Sequence, residues 1–226
     1  MMRTISGRQT ARAPRCALLL CALSALFAAG CALTTKSEPT APRYFSPERA
    51  GDVTRPATRQ AGPMAELRLG RVSAASHLDE RIVYRDSEYE LGYYQERRWT
   101  ESPDQYLKRR LARVLFEERG LLRVVGGAAA TLELELVAFE EIRAPKRLAR
   151  VQVTTRLHDQ RSVRWEETLT VDQPVAATGD GADVMVEALG TALRAVVDRV
   201  ADRVVRELAA PPAVAALPMS APARQR

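Results

Sequence analysis

A chain of 226 residues, 27% charged and only 5% aromatic, has room for one modest domain with flanking segments. Its formal charge of +6 is unevenly placed: residues 1–30 hold Arg3, Arg8, Arg12 and Arg15 and no acid, so the remainder carries only +2. In that remainder arginines and glutamates are interspersed without a single basic stripe, which argues against nucleic acid as a partner.

The amino terminus reads as an address. Residues 1–15 are polar and arginine-bearing, and the fourteen residues from Cys16 to Ala29 are uncharged and largely apolar. Fourteen residues are too few to span a bilayer, which needs about 20. A basic segment, a short apolar run and small residues after it describe a secretory signal peptide over residues 1–30. The run closes on "LFAAGC", which resembles a bacterial lipobox, the site where a diacylglycerol joins the cysteine thiol and the chain is cut just before it. Ala29 and Gly30 match its small residues. Ala28 stands where leucine is usual, so ordinary signal-peptide cleavage stays open as the alternative. On the lipobox reading Cys31 bears the lipid. Ala32 after it, in place of an aspartate, favours the outer membrane of a Gram-negative cell. Each buried methylene contributes about 0.8 kcal/mol, and two or more acyl chains hold such a protein stably. Cys16 and Cys21 lie in the discarded run, leaving one cysteine and therefore no internal disulfide.

Residues 31–64 read as a tether. Pro39, Pro42, Pro47, Pro56 and Pro63 interrupt them, with one short strand expected at Arg43–Phe45. A folded domain is expected over residues 65–209. Leu67, Leu69 and Val72 suggest its first strand; Arg81–Arg85 and Tyr89–Tyr94 read as two more, joined by a turn. Ser102, Pro103 and Gln105 predict an N-cap, a first helical residue and a capping box. Leu107, Leu111, Val114 and Leu115 follow on one helix face, and Gly120 is the expected stop. Leu121–Val125 is a short apolar strand. Three alternating runs then follow, on Leu132, Leu134 and Leu136, on Ala149, Val151, Val153 and Leu157, and on Val163, Trp165, Leu169 and Val171. They predict adjacent antiparallel strands with one solvated face. Asp183–Leu208 reads as a long helix, with Asp183 its N-cap and a stripe from Leu189 to Leu208 facing its own sheet. Residues 210–226 are expected to be disordered. The fold class is α+β: a two-layer domain, its mixed or antiparallel sheet packed against two main helices.

Catalytic patterns are missing from this sequence: there is no GxSxG, P-loop, GxGxxG or HExxH. "VVGGAAA" links two strands, which makes it a turn rather than a phosphate cradle. Glu140 and Glu141 are adjacent acids expected on a solvated strand edge. His77 precedes Asp79, but no nucleophile accompanies them. Trp99 and Trp165 read as core or interface residues. No catalytic residue, metal site or cofactor is assigned, and the protein is read as a non-enzyme.

The segment "HLDERIVYRDSEYELGYYQERRWTESPDQYLKRRLARVL" resembles the signature of the ABC-type transport auxiliary lipoproteins, the PqiC-like family. An "IVYR" strand, an aromatic strand ending in "RW" and a "WTESP" opening to a helix carry the likeness, with Thr100 where alanine is usual. Tyr93, Arg98, Trp99 and Pro103 match the motif, with structural roles as their default. The resemblance implies an outer-membrane lipoprotein facing the periplasm that serves an ABC permease and ATPase together with an MCE-domain protein. It also implies transport of lipids or other hydrophobic molecules between membranes, and allows a ring-shaped homo-oligomer. A pilot or plug lipoprotein of another outer-membrane assembly is the alternative.

Overall fold

The computed structural model describes residues 41–49, 65–176 and 181–210. The expected signal peptide, Cys31, most of the tether and the tail beyond Ala210 lie outside these residues. The described strands are β1 (Arg43–Phe45), β2 (Glu66–Ala74), β3 (Arg81–Arg85), β4 (Leu91–Trp99), β5 (Leu122–Arg123), β6 (Ala130–Ile142), β7 (Leu148–His158) and β8 (Val163–Pro174). Helix α1 spans Pro103–Arg113 and α2 spans Ala182–Ala209. The strands form one mixed sheet with both helices on one face, the α+β two-layer arrangement expected from the sequence.

Strand β6 organises this sheet. Along one edge it pairs in parallel first with β2, from Leu67↔Ala130 to Ala74↔Leu136, and then with β3, from Val83↔Glu140 to Arg85↔Ile142. Along the other edge it pairs antiparallel with the whole of β7, which pairs antiparallel with β8. A bulge interrupts it: Leu136 faces Val153 and Phe139 faces Val151, so β6 spends one residue more than β7 over that stretch. An extra residue reverses the phase of a two-residue repeat. Leu132, Leu134 and Leu136 point to the helices before the bulge; Phe139 and Glu141 do so after it, beside the buried Val151 and Ala149 of β7.

Helix α2 packs on β7 and β8. Its 28 residues extend about 42 Å at 1.5 Å each, and the 12 residues of β8 extend about 40 Å. Leu189, Leu193, Val196, Val197, Val200 and Val204 are buried, as the stripe predicts, and Leu208 is half-buried. Gly181, not Asp183, occupies the N-cap, placing Asp183 in the first turn, where its charge meets the positive end of the helix dipole.

Helix α1 also departs from expectation at its ends. Ser102 is its N-cap and Pro103 its first residue, but no side-chain cap bond forms. The Gln105 amide group instead donates to Asp104 at 2.8 Å. After Arg113 the chain widens into a π-helical turn over Val114–Glu118 and stops at Gly120, whose φ of +70° suits glycine. The apolar run after it contributes only the two-residue β5, paired with β2.

The β7–β8 turn is closed by Asp159. Its Oδ1 accepts the amides of Arg161 at 2.8 Å and Ser162 at 3.0 Å, and its Oδ2 accepts Arg164 Nε at 3.1 Å. These donors stabilise the ionised form and hold its pKa down at about 2. A carboxylate depressed in the folded state contributes stability above its unfolded value near 3.9 and loses it as pH falls through the folded value. Asp159→Asn should therefore lower the urea midpoint at neutral pH. The gap between the two proteins should narrow below about pH 4 and close near pH 2.

Candidate functional site

Two neighbouring carboxylates are the least expected feature of the sheet. Glu140 and Glu141 were expected on a solvated edge, yet they are 1% and 0% exposed. Successive strand residues point to opposite faces, so each needs its own cation. Arg85 on β3 meets Glu140 with two parallel bonds, Nε–Oε1 at 2.8 Å and Nη2–Oε2 at 3.1 Å. Glu141 accepts bonds from Arg147 Nε and the Tyr94 hydroxyl. Burial, reinforced by that carboxylate, pushes the Tyr94 pKa up. Their burial has a physical reason: β3 runs beside Glu140–Ile142 and brings Arg85 onto Glu140, and the bulge turns Glu141 toward the helix side.

Around Tyr94 a stack of rings and guanidinium groups closes this end of the sheet. Tyr84 and Tyr94 meet edge to face with centroids 5.1 Å apart. Arg143 lies 3.5 Å from the Tyr84 centroid and Arg97 lies 4.3 Å from that of Tyr94. Gly92 belongs to the same packing, because a Cβ there would overlap the Tyr84 ring.

The motif residues gather on β4 and at its exit. Strand β4 runs to Trp99 rather than ending at Tyr94, and it bulges: Val83 of β3 faces Tyr93 while Arg81 faces Arg98. Arg98 bridges the bulge, its Nη1 donating to the carbonyls of Tyr94 at 2.8 Å and Arg97 at 3.0 Å. Tyr93 lies beneath the Arg81 guanidinium, 3.9 Å from its centroid, and its hydroxyl reaches the His77 carbonyl at 3.4 Å. Trp99 is fully buried between Phe139 of β6 and Tyr106 of α1, with centroids 5.2 and 6.3 Å away. Pro103 is buried at the first turn of α1. Arg98, Trp99 and Pro103 thus lie together at the exit of β4, Tyr93 lies before its bulge under Arg81, and Cys31 is outside the described residues. Asp79 bonds Arg81 at 3.0 Å rather than His77.

A strap lies over this junction. Strand β1, within the segment expected as tether, pairs in parallel with β4, and the Thr100 amide donates to the Phe45 carbonyl at 3.0 Å. Of residues 41–49 only Phe45 and Pro47 are buried, and a buried side chain of this kind contributes about 1.5–3 kcal/mol. Glu48 pairs with Arg109 of α1 at 2.9 Å, and Arg49 pairs with Glu187 of α2; exposed pairs of this sort add little. Pro47 sits so close to Gly190 that a Cβ there would overlap its carbonyl oxygen. A cleft of about 310 Å³ opens between strap and helix, beside Tyr44, Val186 and Arg194.

The sheet face away from the helices is polar. Arg150–Asp172, Gln152–Thr170, Thr154–Thr168 and Arg156–Glu166 join β7 to β8 across it at 2.8–2.9 Å. Arg150 and Arg156 hold Asp172 and Glu166 below the ordinary carboxylate range. A trough of about 350 Å³ there is lined by Arg71, Glu133, Glu135, Arg156 and Glu166. Among the described residues no group of acids, histidines or cysteines is arranged to hold a metal ion, and no helix is long and apolar enough to cross a membrane.

The architecture recurs in solved structures. Protein XCC0632 from Xanthomonas campestris, of the DUF330 family, is 19% identical with a TM-score of 0.59, over 73% of this chain and 96% of that one. A second crystal structure, of an uncharacterized protein, is 16% identical with a TM-score of 0.57, over 73% and 99%. No curated protein matches the sequence. The family model for the ABC-type transport auxiliary lipoprotein component matches residues 49–201. The chain belongs to this family. The matched stretch of this auxiliary lipoprotein runs from the end of the strap into the last turns of α2, and so contains both buried glutamates and the whole β4–α1 junction.

Sequence reasoning located that junction but missed the Arg85–Glu140 and Arg147–Glu141 pairs and the seat at Gly190. A glycine inside a helix costs about 1 kcal/mol against alanine, so Gly190 was itself a signal of close approach. Removing one partner of a buried pair leaves the other charge unmatched. Arg85→Ala should destabilise the domain on the order of 3 kcal/mol in urea unfolding, and Arg85→Ala with Glu140→Leu should recover much of that loss.

Proposed function

We propose that this chain is an outer-membrane lipoprotein, anchored through Cys31 and facing the periplasm, that docks an MCE-domain assembly of an ABC transport system. The cargo is a lipid or another hydrophobic molecule carried between the two membranes. Membership of the auxiliary lipoprotein family carries this reading. The lipobox-like "LFAAGC" ending at Cys31 supports it, placed ahead of a folded domain that begins its sheet at Arg43. So does the character of the domain's charges. Glu140, Glu141, Asp159, Glu166 and Asp172 are each engaged by arginines that hold strands or turns together, as befits a scaffold that presents surfaces.

On this reading the ABC permease and ATPase supply the energy and the lipoprotein supplies a fixed point at the outer membrane. Cells fed labelled palmitate should label the native chain and not Cys31→Ser. An MCE-domain protein should be recovered with the native chain from detergent-solubilised membranes. Palmitate incorporation into Cys31→Ser would overturn the anchor, and recovery of a secretin or β-barrel partner in place of an MCE protein would overturn the transport role.

A further inference from the structure

We propose that the strap over residues 43–49 is a releasable clasp that sets how far the domain stands from its membrane anchor. The inference rests on the Cys31 anchor argued above. Its starting observation is that the strap supplies the edge strand of the sheet, paired with β4 alone. One backbone bond from Thr100 to Phe45, the three-residue pairing of β1 with β4, two buried side chains and two exposed ion pairs make up the attachment. Within β1 the pairing sets Arg43 beside Arg97, a like-charged neighbour that weakens it. Segments with little buried surface and exposed ion pairs belong to the low-stability end of a fold.

The seat of the clasp is specific all the same. Pro47 reaches α2 only because residue 190 has no Cβ, and the helix carries a poor helix former there. Chain length gives the consequence. Twelve residues separate Cys31 from Arg43 and 35 separate it from Glu66. At about 3.3–3.6 Å per residue, the fastened strap limits the tether to about 40 Å, and release extends the limit to about 120 Å. Strand β2 pairs with β5 and β6 and not with β1, so release of the strap leaves its pairings in place. A domain held close to its membrane can thereby reach for a partner across the periplasm and be drawn back when the strap seats again.

The test uses the full-length lipidated chain on vesicles of phosphatidylethanolamine and phosphatidylglycerol. Gly190→Ala fills the seat from the helix, and Phe45→Ser removes the strap's apolar anchor. Hydrogen exchange at the Thr100 amide reports docking directly. It should rise about tenfold or more in both variants while Val151 and Val153 of β7 stay protected, which shows that the sheet is intact. A donor dye on Lys108→Cys should then transfer less energy to a headgroup-labelled lipid in either variant than in the otherwise native chain. Unchanged exchange at Thr100, or raised exchange with unchanged transfer, would overturn the clasp. Failure of all three proteins to attach to vesicles would instead overturn the Cys31 anchor, and the clasp's reach with it.

Discussion

The bulge near Val137 and the two carboxylates that follow it are the constraint on which the rest of the sheet depends. Strand β6 must satisfy β2, then β3, on one edge and β7 on the other. A bulge bends its strand and increases the local twist, and in the 13 residues of β6 it falls where the parallel neighbour changes from β2 to β3. The extra residue re-aims the chain, brings Phe139 beneath Trp99, and turns Glu141 to the helix side while Glu140 stays on the other. An ionised pair at this depth is weak evidence for stability, because desolvation offsets most of the attraction. What it supplies is register. Arg85 can meet both oxygens of Glu140 only when β3 lies where it does, and a slip of one residue would strand a buried charge.

From that fixed point the structure builds outward through cations laid on rings. Arg143 on Tyr84 of β3, and Arg97 on Tyr94 and Arg81 on Tyr93 of β4, cover the rings of these two paired strands. Each contact is worth about 0.5–1 kcal/mol at an exposed site, so no single one determines the fold. Together they let a chain with 5% aromatic residues close the end of a sheet that neither helix covers. Arginine serves here where lysine would not, since its planar group can lie on a ring and still direct bonds sideways. Arg98 shows the same property against backbone carbonyls.

Much of this was legible in the sequence. Alternation located β7, β8 and the first half of β6, because each of these has one face under the helices and the other largely solvated; in β8, Glu167 breaks the pattern and Val163, set off by a bulge, is exposed rather than under α2. Arg81–Arg85 and Arg43–Phe45 were located to the residue. The long stripe of α2 was readable because a helix buried against a sheet from Ala182 to Val204 must repeat its apolar face throughout. Alternation failed past the bulge: beyond Val137 both faces of β6 are buried, so Glu140 and Glu141 looked solvated and were not. The capping box failed for a local reason, since the Gln105 side chain bonds Asp104 and leaves the cap unused. The strand over Tyr89–Tyr94 was misplaced because a bulge of four residues, Tyr94–Arg97, carries no alternation to read.

The β4–α1 junction joins these threads. Trp99 takes a backbone bond from its own amide to the Glu80 carbonyl at 2.7 Å, rests on Phe139 past the bulge of β6, and meets Tyr106 on α1. Tyr106 in turn bonds Thr100 at 2.7 Å and accepts the Glu101 amide at 3.1 Å. Thr100 is the same residue whose amide holds the strap. The segment read from the sequence as resembling the family signature is therefore the place where the sheet, the first helix and the segment leading from the amino terminus are tied to one another. A change at Trp99 would alter the position of α1 and the seat of β1 together, and with them any surface the domain presents and the length of chain on which it is presented.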